Sequence, residues 1–142
     1  MTMFLEHSFT DARSHLTAVV DKVLSNQPQI IRKRKQSEKN VMLIDTDTQK
    51  ELLAGFSFTL DEFPEEDGSI TLALDVLTLY ANGNTKEEAM NDLLEQLQVY
   101  AEEYLTHINE YRYAPNRKAH LPYVLRIALC ENEQELRQLL NA

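Results

Sequence analysis

Apolar residues recur along the start of this 142-residue chain at the spacing of a helix. A short mixed run at residues 3–9 comes first and predicts an edge strand. Steps of three and four residues then place a set of side chains on one face of an amphipathic helix. The members of that face are Ala12, Leu16, Val19, Val20, Val23 and Leu24. Thr10 is the predicted N-cap, and Asn26-Gln27-Pro28 ends the helix.

Two short β-branched or apolar runs follow this helix. They occupy residues 29–32 and 40–44 and predict a pair of strands, with a polar hairpin loop at residues 33–39 between them. Asp45 or Thr46 can cap a further short helix, which ends before Gly55. Residues 1–55 therefore predict a small β-α-β-β-α domain.

The remainder of the chain changes to a pattern that begins with strands. Residues 56–60, 70–74 and 78–81 predict three strands, and an acidic loop at residues 61–67 separates the first two. Thr85 caps a long amphipathic helix with Glu88 three residues on, which is the spacing of a capping box.

The last part of the chain adds one more strand and one more helix to this prediction. Residues 123–129 alternate as a fourth strand, and Asn132 caps a short final helix. Residues 56–142 thus predict a β-β-β-α-β-α domain, and the fold class of the whole chain is α+β.

Charge divides along the chain in the same way as the pattern of elements. The formal net charge is −9, but residues 1–55 hold 8 basic and 7 acidic side chains. Residues 56–142 hold 6 basic and 16 acidic side chains, a net of −10. Such asymmetry predicts two parts with different partners, since an acidic surface repels nucleic-acid phosphates and a basic cluster attracts them.

The basic cluster is Arg32-Lys33-Arg34-Lys35, at the start of the predicted hairpin loop. Four consecutive cations produce a strong local positive potential that suits phosphate contacts, which position a protein without reading sequence. Arg13, on the predicted first turn of the first helix, is better placed to reach a base edge. The alternative interpretation of the cluster is an ordinary solvated turn.

The first domain resembles the prevent-host-death (Phd/YefM) antitoxin family. The resemblance covers roughly residues 4–54 and lies in the order and spacing of its parts, which are Thr10-Asp11-Ala12-Arg13, Leu16, Val20, Val23, Pro28-Gln29-Ile30-Ile31 and Val41-Met42-Leu43-Ile44. It implies a homodimer that binds operator DNA and neutralises a toxin through its C-terminal part. The family's DNA-contacting positions match Arg13 and Lys33, with Arg32, Arg34 and Lys35 adjacent. Residues 36–40 lack the glycine that the family often has in this loop.

The second domain resembles the HicB-like antitoxin domain over roughly residues 56–130. The resemblance is carried by Gly83-Asn84-Thr85-Lys86-Glu87-Glu88-Ala89 at the strand-to-helix junction and by Asp67-Gly68 before the second strand. It implies a degenerate RNase H-like fold that binds a toxin. The family's Pro-Gly-Cys stretch is absent, and residues 75–81 occupy its place.

The sequence offers little support for catalysis or for a cofactor. Asp75 is the one carboxylate placed like a catalytic residue of a metal-dependent nuclease, and the other acidic residues crowd a loop. The four histidines lack metal-ligand spacing, and no glycine-rich phosphate loop is present. We therefore expect no catalytic residue, no metal and no cofactor.

The cellular setting follows from what the chain lacks. The lone Cys130 cannot form an internal disulfide, which fits a reducing cytoplasm. No apolar run is long enough to span a bilayer, and residues 1–6 do not resemble a signal peptide.

Two aromatic pairs in the second domain have different interpretations. Tyr100 and Tyr104 fall on the stripe of the long helix and predict core side chains. Tyr111 and Tyr113, beside basic residues, could anchor a protein interface or belong to a wrapped loop.

Three functional hypotheses remain from the sequence. The first is an antitoxin of a type II toxin-antitoxin system: a dimeric, or higher even-numbered, operator-binding autorepressor with domains 1–55 for DNA and 56–142 for a small basic RNase toxin. The second is a DNA-binding regulator or scaffold without a toxin. The third is a metal-dependent nuclease.

Overall fold

The first part of the chain folds around a three-stranded sheet. The structure is a computed structural model that describes residues 3–140. The strands are β1 (Leu5–His7), β2 (Gln29–Ile31) and β3 (Val41–Leu43). The central β2 runs parallel to β1 and antiparallel to β3. This places β1 at an edge, as the sequence predicts.

Two consecutive helices, rather than one, connect β1 and β2. They are α1 (Phe9–Ser14) and α2 (Leu16–Leu24), and the chain breaks between them at His15. The predicted N-cap Thr10 is wrong, because Ser8 Oγ accepts the hydrogen bond from the Asp11 amide at 3.1 Å. α3 (Thr46–Leu53) follows the sheet, and Asp45 caps it by accepting from the Thr48 amide.

The polar residue Gln29 lies buried in the middle of this unit. Its Oε1 lies 2.8 Å from His7 Nε2, across the parallel strand pair. Its Nε2 donates to the carbonyl oxygens of Gln27 and Pro28. All the polar atoms of the side chain thus find partners, as burial of an amide requires.

Contacts divide the chain into two units between Leu52 and Leu53, three residues before the predicted boundary. The second unit contains an antiparallel sheet of β4 (Leu60–Pro64), β5 (Ile70–Leu74) and β6 (Leu79–Gly83), in that order. β4 begins four residues later than predicted, so part of the expected acidic loop lies in a strand.

The long helix α4 (Lys86–Thr106) packs against this sheet and against α6 (Leu121–Ala128). Thr85 caps α4 as predicted, with its Oγ1 accepting from the Glu88 amide. The core between these elements contains Leu72, Leu74, Ala81, Leu93, Leu94, Leu97, Tyr104, Val124 and Ile127, among others. The short α5 (Ile108–Tyr111) and the final α7 (Glu133–Leu139) complete the unit.

The predicted fourth strand at residues 123–129 is wrong, because this segment is the helix α6. The second unit therefore has three strands followed by helices, not the predicted β-β-β-α-β-α order. The apolar run is short enough to fit either periodicity, and Pro122 in the first turn of α6 is preorganised for a helix. Val124 and Ile127 are buried, three residues apart on one face.

Gly83 joins β6 to α4 where the backbone turns tightly. A Cβ at this position would lie 2.5 Å from the Ala89 nitrogen and 2.8 Å from the Glu88 Cβ. Glycine is therefore required sterically at the junction, and its close packing seats the N-terminus of α4 against the sheet. Within residues 3–140, no helix is long and apolar enough to cross a membrane.

Candidate nucleic-acid interface

The four cations Arg32, Lys33, Arg34 and Lys35 lie together on an exposed loop that leaves the end of β2. The Arg32 amide continues the pairing of the strands by donating to the His7 carbonyl at 2.9 Å. The Lys33 amide donates to Asn40 Oδ1 at 2.8 Å and thereby joins the two ends of the loop. The cationic side chains thus project from an ordered backbone.

Side-chain hydrogen bonds also explain how the loop forms without glycine. Glu38 Oε1 accepts from the Arg34 amide at 3.1 Å, and the Glu38 amide donates to the Lys35 carbonyl at 3.0 Å. The structure places no residue of this loop in the left-handed region of φ. Since no position in the loop needs a positive φ, the loop does not require the glycine that the Phd/YefM family often has there.

The Arg34 side chain is clamped by the same Glu38. Its Nε donates to Glu38 Oε1 at 3.0 Å, and its Nη2 donates to Oε2 at 2.5 Å. This paired geometry suits a guanidinium and a carboxylate. The hydrogen bond from Arg34 lowers the pKa of Glu38 below its ordinary value. Glu38 therefore stays ionised and offsets one of the four positive charges.

Phe9 provides the contact between the loop and α1. The Arg34 guanidinium carbon lies 4.6 Å from the centroid of the Phe9 ring, within the range of a cation–π contact. Phe9 also lines a shallow depression of about 340 Å³ with Arg32, Lys33 and Arg34. The loop and the first helix thus form one continuous surface.

Arg13 is exposed and stands four residues after Phe9 on α1. Residues at this spacing lie on the same side of a helix, so Arg13 extends along the side where Phe9 meets the loop. Because α1 ends at Ser14, Arg13 lies in the last turn of a short helix, not in the first turn of a long one as predicted.

The remaining cations have weak contacts. Arg32 Nη1 lies 4.0 Å from a carboxylate oxygen of Glu6, and Lys33 Nζ donates to Gln36 Oε1 at 3.1 Å. Exposed pairs of this kind contribute little to stability and are readily exchanged for other partners. Such side chains can reorient towards phosphate oxygens at low cost.

Phe9, Glu38 and Asn40 are the members of this surface that the sequence does not single out. Opposite charges four residues apart at Arg34 and Glu38 are the one usable signal in the sequence for this ion pair. Nothing in the local sequence indicates that Phe9 meets Arg34, since the two residues are 25 positions apart in the chain and only the fold brings them together.

Three apolar side chains are exposed along α2. Leu16, Val20 and Leu24 repeat every four residues, and Leu16 and Leu24 are 54% and 67% exposed. Val19 and Val23, which lie beside this stripe on the same face of the helix, are buried. A stripe of this kind on a small unit is typical of a surface that another protein chain covers.

The second unit holds a cluster of aromatic side chains at the C-terminal part of α4. Tyr104 is fully buried, as predicted, and its ring meets those of Tyr100 and Tyr111 edge to face. The Arg117 guanidinium lies over Tyr111 at 4.3 Å, and Tyr100 Oη lies 2.6 Å from His120 Nδ1. Tyr111 thus belongs to the cluster, whereas Tyr113 is exposed.

Asp75, the candidate catalytic carboxylate, lies exposed in a single 3-10 turn after β5. Between residues 3 and 140, no group of three histidine, cysteine, aspartate or glutamate side chains is arranged to hold a metal ion. The geometry around Asp75 therefore does not assemble the carboxylates that two-metal chemistry uses.

Comparison with known proteins gives two matches of nearly full length. The family model described as "Antitoxin of toxin-antitoxin, RelE / RelB, TA system" matches residues 3–142. A crystal structure from Syntrophomonas wolfei subsp. wolfei, described as the antitoxin part of an inferred toxin/antitoxin system, superposes with a TM-score of 0.83. The two chains are 25% identical, and the match covers 96% of each. None of the curated proteins matches the sequence significantly.

Proposed function

Because this chain belongs to the PHD-like family, whose members are antitoxins of toxin-antitoxin systems, we propose that it is a cytoplasmic autorepressor that also neutralises a toxin. Membership of the family implies a toxin as partner and suggests a regulatory rather than a catalytic role. The finer assignments are proposals: a Phd/YefM-type DNA-binding unit at residues 1–55 and a HicB-like, toxin-binding unit at residues 56–142.

The exposed loop Arg32–Lys35 is the observation that carries the DNA-binding part of the proposal. Its backbone is ordered by Asn40 and Glu38, so the cations are presented in a defined arrangement beside α1. Lys33 and Lys35 contact phosphates and position the protein, while Arg13 reaches a base edge.

A second copy of the chain covers the exposed stripe of α2 in this proposal. The resulting dimer repeats the loop and α1 across a two-fold axis, so that it binds a palindromic operator with one half-site for each copy. Burial of Leu16, Val20 and Leu24 supplies the apolar contacts of the interface.

Electrostatics supports a separate partner for the second unit. The net charge of −10 over residues 56–142 disfavours DNA and suits a basic protein. We therefore assign toxin binding to this unit, with a small basic RNase as the toxin.

DNA binding by alanine variants tests the first assignment. Arg13→Ala is expected to weaken operator binding and relax sequence preference. Lys33→Ala and Lys35→Ala are expected to weaken all DNA uniformly and each to reduce the slope of log affinity against log salt by about 0.9. Lys22→Ala, on α2, removes the same charge from the same unit and serves as the control. If the three variants bind operator like the wild type, the DNA surface lies elsewhere.

Co-expression with the product of the adjacent reading frame tests the second assignment. An antitoxin is expected to co-purify with that product and to restore growth of cells that express it. DNA binding without such a partner would favour a regulator or scaffold that has no toxin. Magnesium-dependent RNA cleavage that Asp75→Ala abolishes would instead favour a nuclease.

A further inference from the structure

The second unit has an open groove between β6 and α4, which we call the β6–α4 groove. Its volume is about 430 Å³. One side is formed by Leu79 of β6, and the other by a stripe on α4 that includes Asp92, Glu95, Gln96, Val99 and Glu103. A neighbouring cavity of about 340 Å³ shares Leu79, Tyr100 and Glu103, so the depression continues towards Arg117 and His120.

The strand that borders the groove has an unpaired edge. β6 is the last strand of its sheet, and in the described part of the chain it pairs with β5 alone. The Tyr80 carbonyl accepts a hydrogen bond at 2.9 Å from Gln96 Nε2, a side chain of the groove itself. This carbonyl therefore faces the groove, where a flexible side chain occupies the position that a neighbouring strand's amide would take.

The residues that line the groove carry a net negative charge. Asp92, Glu95 and Glu103 are exposed, and among residues 3–140 no lysine or arginine lines the groove with them. Arg117 lines the neighbouring cavity, which Glu103 also borders. Within residues 3–140, the carboxylates of Asp92 and Glu103 accept hydrogen bonds only from the neutral side chains of Gln96 and Tyr111. Glu95 has no hydrogen-bond or ion-pair partner among residues 3–140 that would offset its charge. The groove therefore favours cationic side chains.

The apolar surface and the length of the groove further restrict what kind of ligand can bind there. Val99 is 58% exposed at the centre of the stripe and gives the groove an apolar patch. The stripe from Asp92 to Glu103 spans about 16 Å at 1.5 Å per helical residue. An extended peptide of roughly five residues covers that length, and β6 itself has five residues.

We propose that the β6–α4 groove is the docking site for the toxin, which adds an extended segment bearing lysine or arginine to the free edge of β6. The inference rests on the proposed function, because it assigns a site to the partner proposed there. Main-chain hydrogen bonds to β6 supply affinity, while Asp92, Glu95 and Glu103 select a basic segment.

Charge reversal in the groove tests the proposal on the full chain. D92K/E95K is compared with E65K/E66K, which makes the same change in net charge at the exposed turn between β4 and β5. Binding of the purified product of the adjacent reading frame is measured by calorimetry. The groove variant is expected to bind at least tenfold more weakly, since reversal of two interfacial charges exceeds about 1.4 kcal/mol. The control is expected to bind within about twofold of the wild type, because exposed charges away from an interface contribute little.

Hydrogen exchange provides a readout that does not depend on substitution. Binding is expected to slow exchange of the β6 amides, residues 79–83, and to leave the loop at residues 65–69 unchanged. The milder D92N/E95Q variant repeats the calorimetric test if the lysine variant melts at a lower temperature than the wild type.

The possible results separate the two proposals. Loss of binding in the groove variant alone, with protection of β6, supports the groove. Equal binding by both variants and the wild type, equal loss in both variants, or protection confined to other segments overturns the groove but leaves the toxin partner in place. Failure of the wild type to bind the adjacent product overturns both.

Discussion

The guanidinium of Arg34 lies over the ring of Phe9, with 4.6 Å between its central carbon and the ring centroid. This contact joins a loop that carries four cations to the helix that carries Arg13. The proposed DNA surface therefore depends on Phe9, an uncharged residue that makes no ionic contact with phosphate itself.

Phe9→Ala is expected to weaken operator binding without altering net charge. Loss of the cation–π contact removes about 0.5–1 kcal/mol of stabilisation from the ordered loop, which corresponds to a two- to fivefold decrease in affinity. Fluorescence anisotropy with labelled operator measures it. Phe9→Leu keeps an apolar side chain but removes the π face, and we expect it to lie between the alanine variant and the wild type. An unchanged affinity in Phe9→Ala would show that the loop holds its arrangement without this contact.

Glu38→Gln is expected to strengthen binding to DNA. The substitution retains an oxygen that can accept from Arg34 and removes the negative charge that offsets the cluster. The freed cation adds one phosphate contact, so the salt slope of binding steepens by about 0.9. A titration of affinity against salt measures the change. Glu51→Gln, an exposed carboxylate on α3, controls for net charge, and an equal effect there would remove the specific role of Glu38.

The double substitution Leu16→Glu and Val20→Glu is expected to dissociate the proposed dimer. Two charges on each copy would be buried without partners, a cost of several kcal/mol that the stripe cannot compensate. Light scattering after size-exclusion chromatography gives the mass of the particle. Thr17→Glu, on the same helix and exposed, should leave that mass unchanged. A monomeric wild type would contradict the assignment of the stripe.

Gly83→Ala is expected to destabilise the second unit. The new Cβ would approach the Ala89 nitrogen to 2.5 Å, and this atom belongs to the backbone at the start of α4. Overpacking of this kind costs about 1–3 kcal/mol. Urea denaturation measures the free energy of unfolding. Gly55→Ala is the matched control, because no atom lies within 4 Å of its added Cβ, and we expect no loss there.

The second unit is expected to lose stability as the pH falls below about 6.5. Burial, and secondarily the charge of Arg117, lowers the pKa of His120 from the ordinary value of 6.5. The unfolded chain therefore binds a proton at a higher pH than the folded one. The contribution is present above 6.5 and is lost as the pH falls through the lowered pKa. Thermal melts between pH 7.5 and pH 5 should show a steeper decline for the wild type than for His120→Gln, and parallel curves would contradict it.

Local patterns in the sequence were sufficient for much of the fold. Thr85 and Asn132 cap the helices that they were predicted to cap, because a cap needs only a side-chain oxygen and an amide three residues on. The buried side of α4 follows from helical spacing for the same reason. The nearly neutral first part and the acidic second part are properties of composition and need no structure.

Other features depended on which residues meet in space. Residues 123–129 form a helix because Val124 and Ile127 pack into the core with α4, and an alternating apolar run cannot reveal that partner. The N-cap of the first helix is Ser8 rather than Thr10, and the helical segment divides at His15 into α1 and α2.

The sequence by itself determined the capped helices, the division of charge and the cluster Arg32–Lys35. Each depends on residues close together in the chain, where spacing decides geometry. Only the tertiary structure decided that Phe9 supports Arg34 and that β6 leaves an edge beside Asp92 and Glu95. Both relationships join residues distant in sequence, and packing of the sheets against their helices determines which of them come into contact.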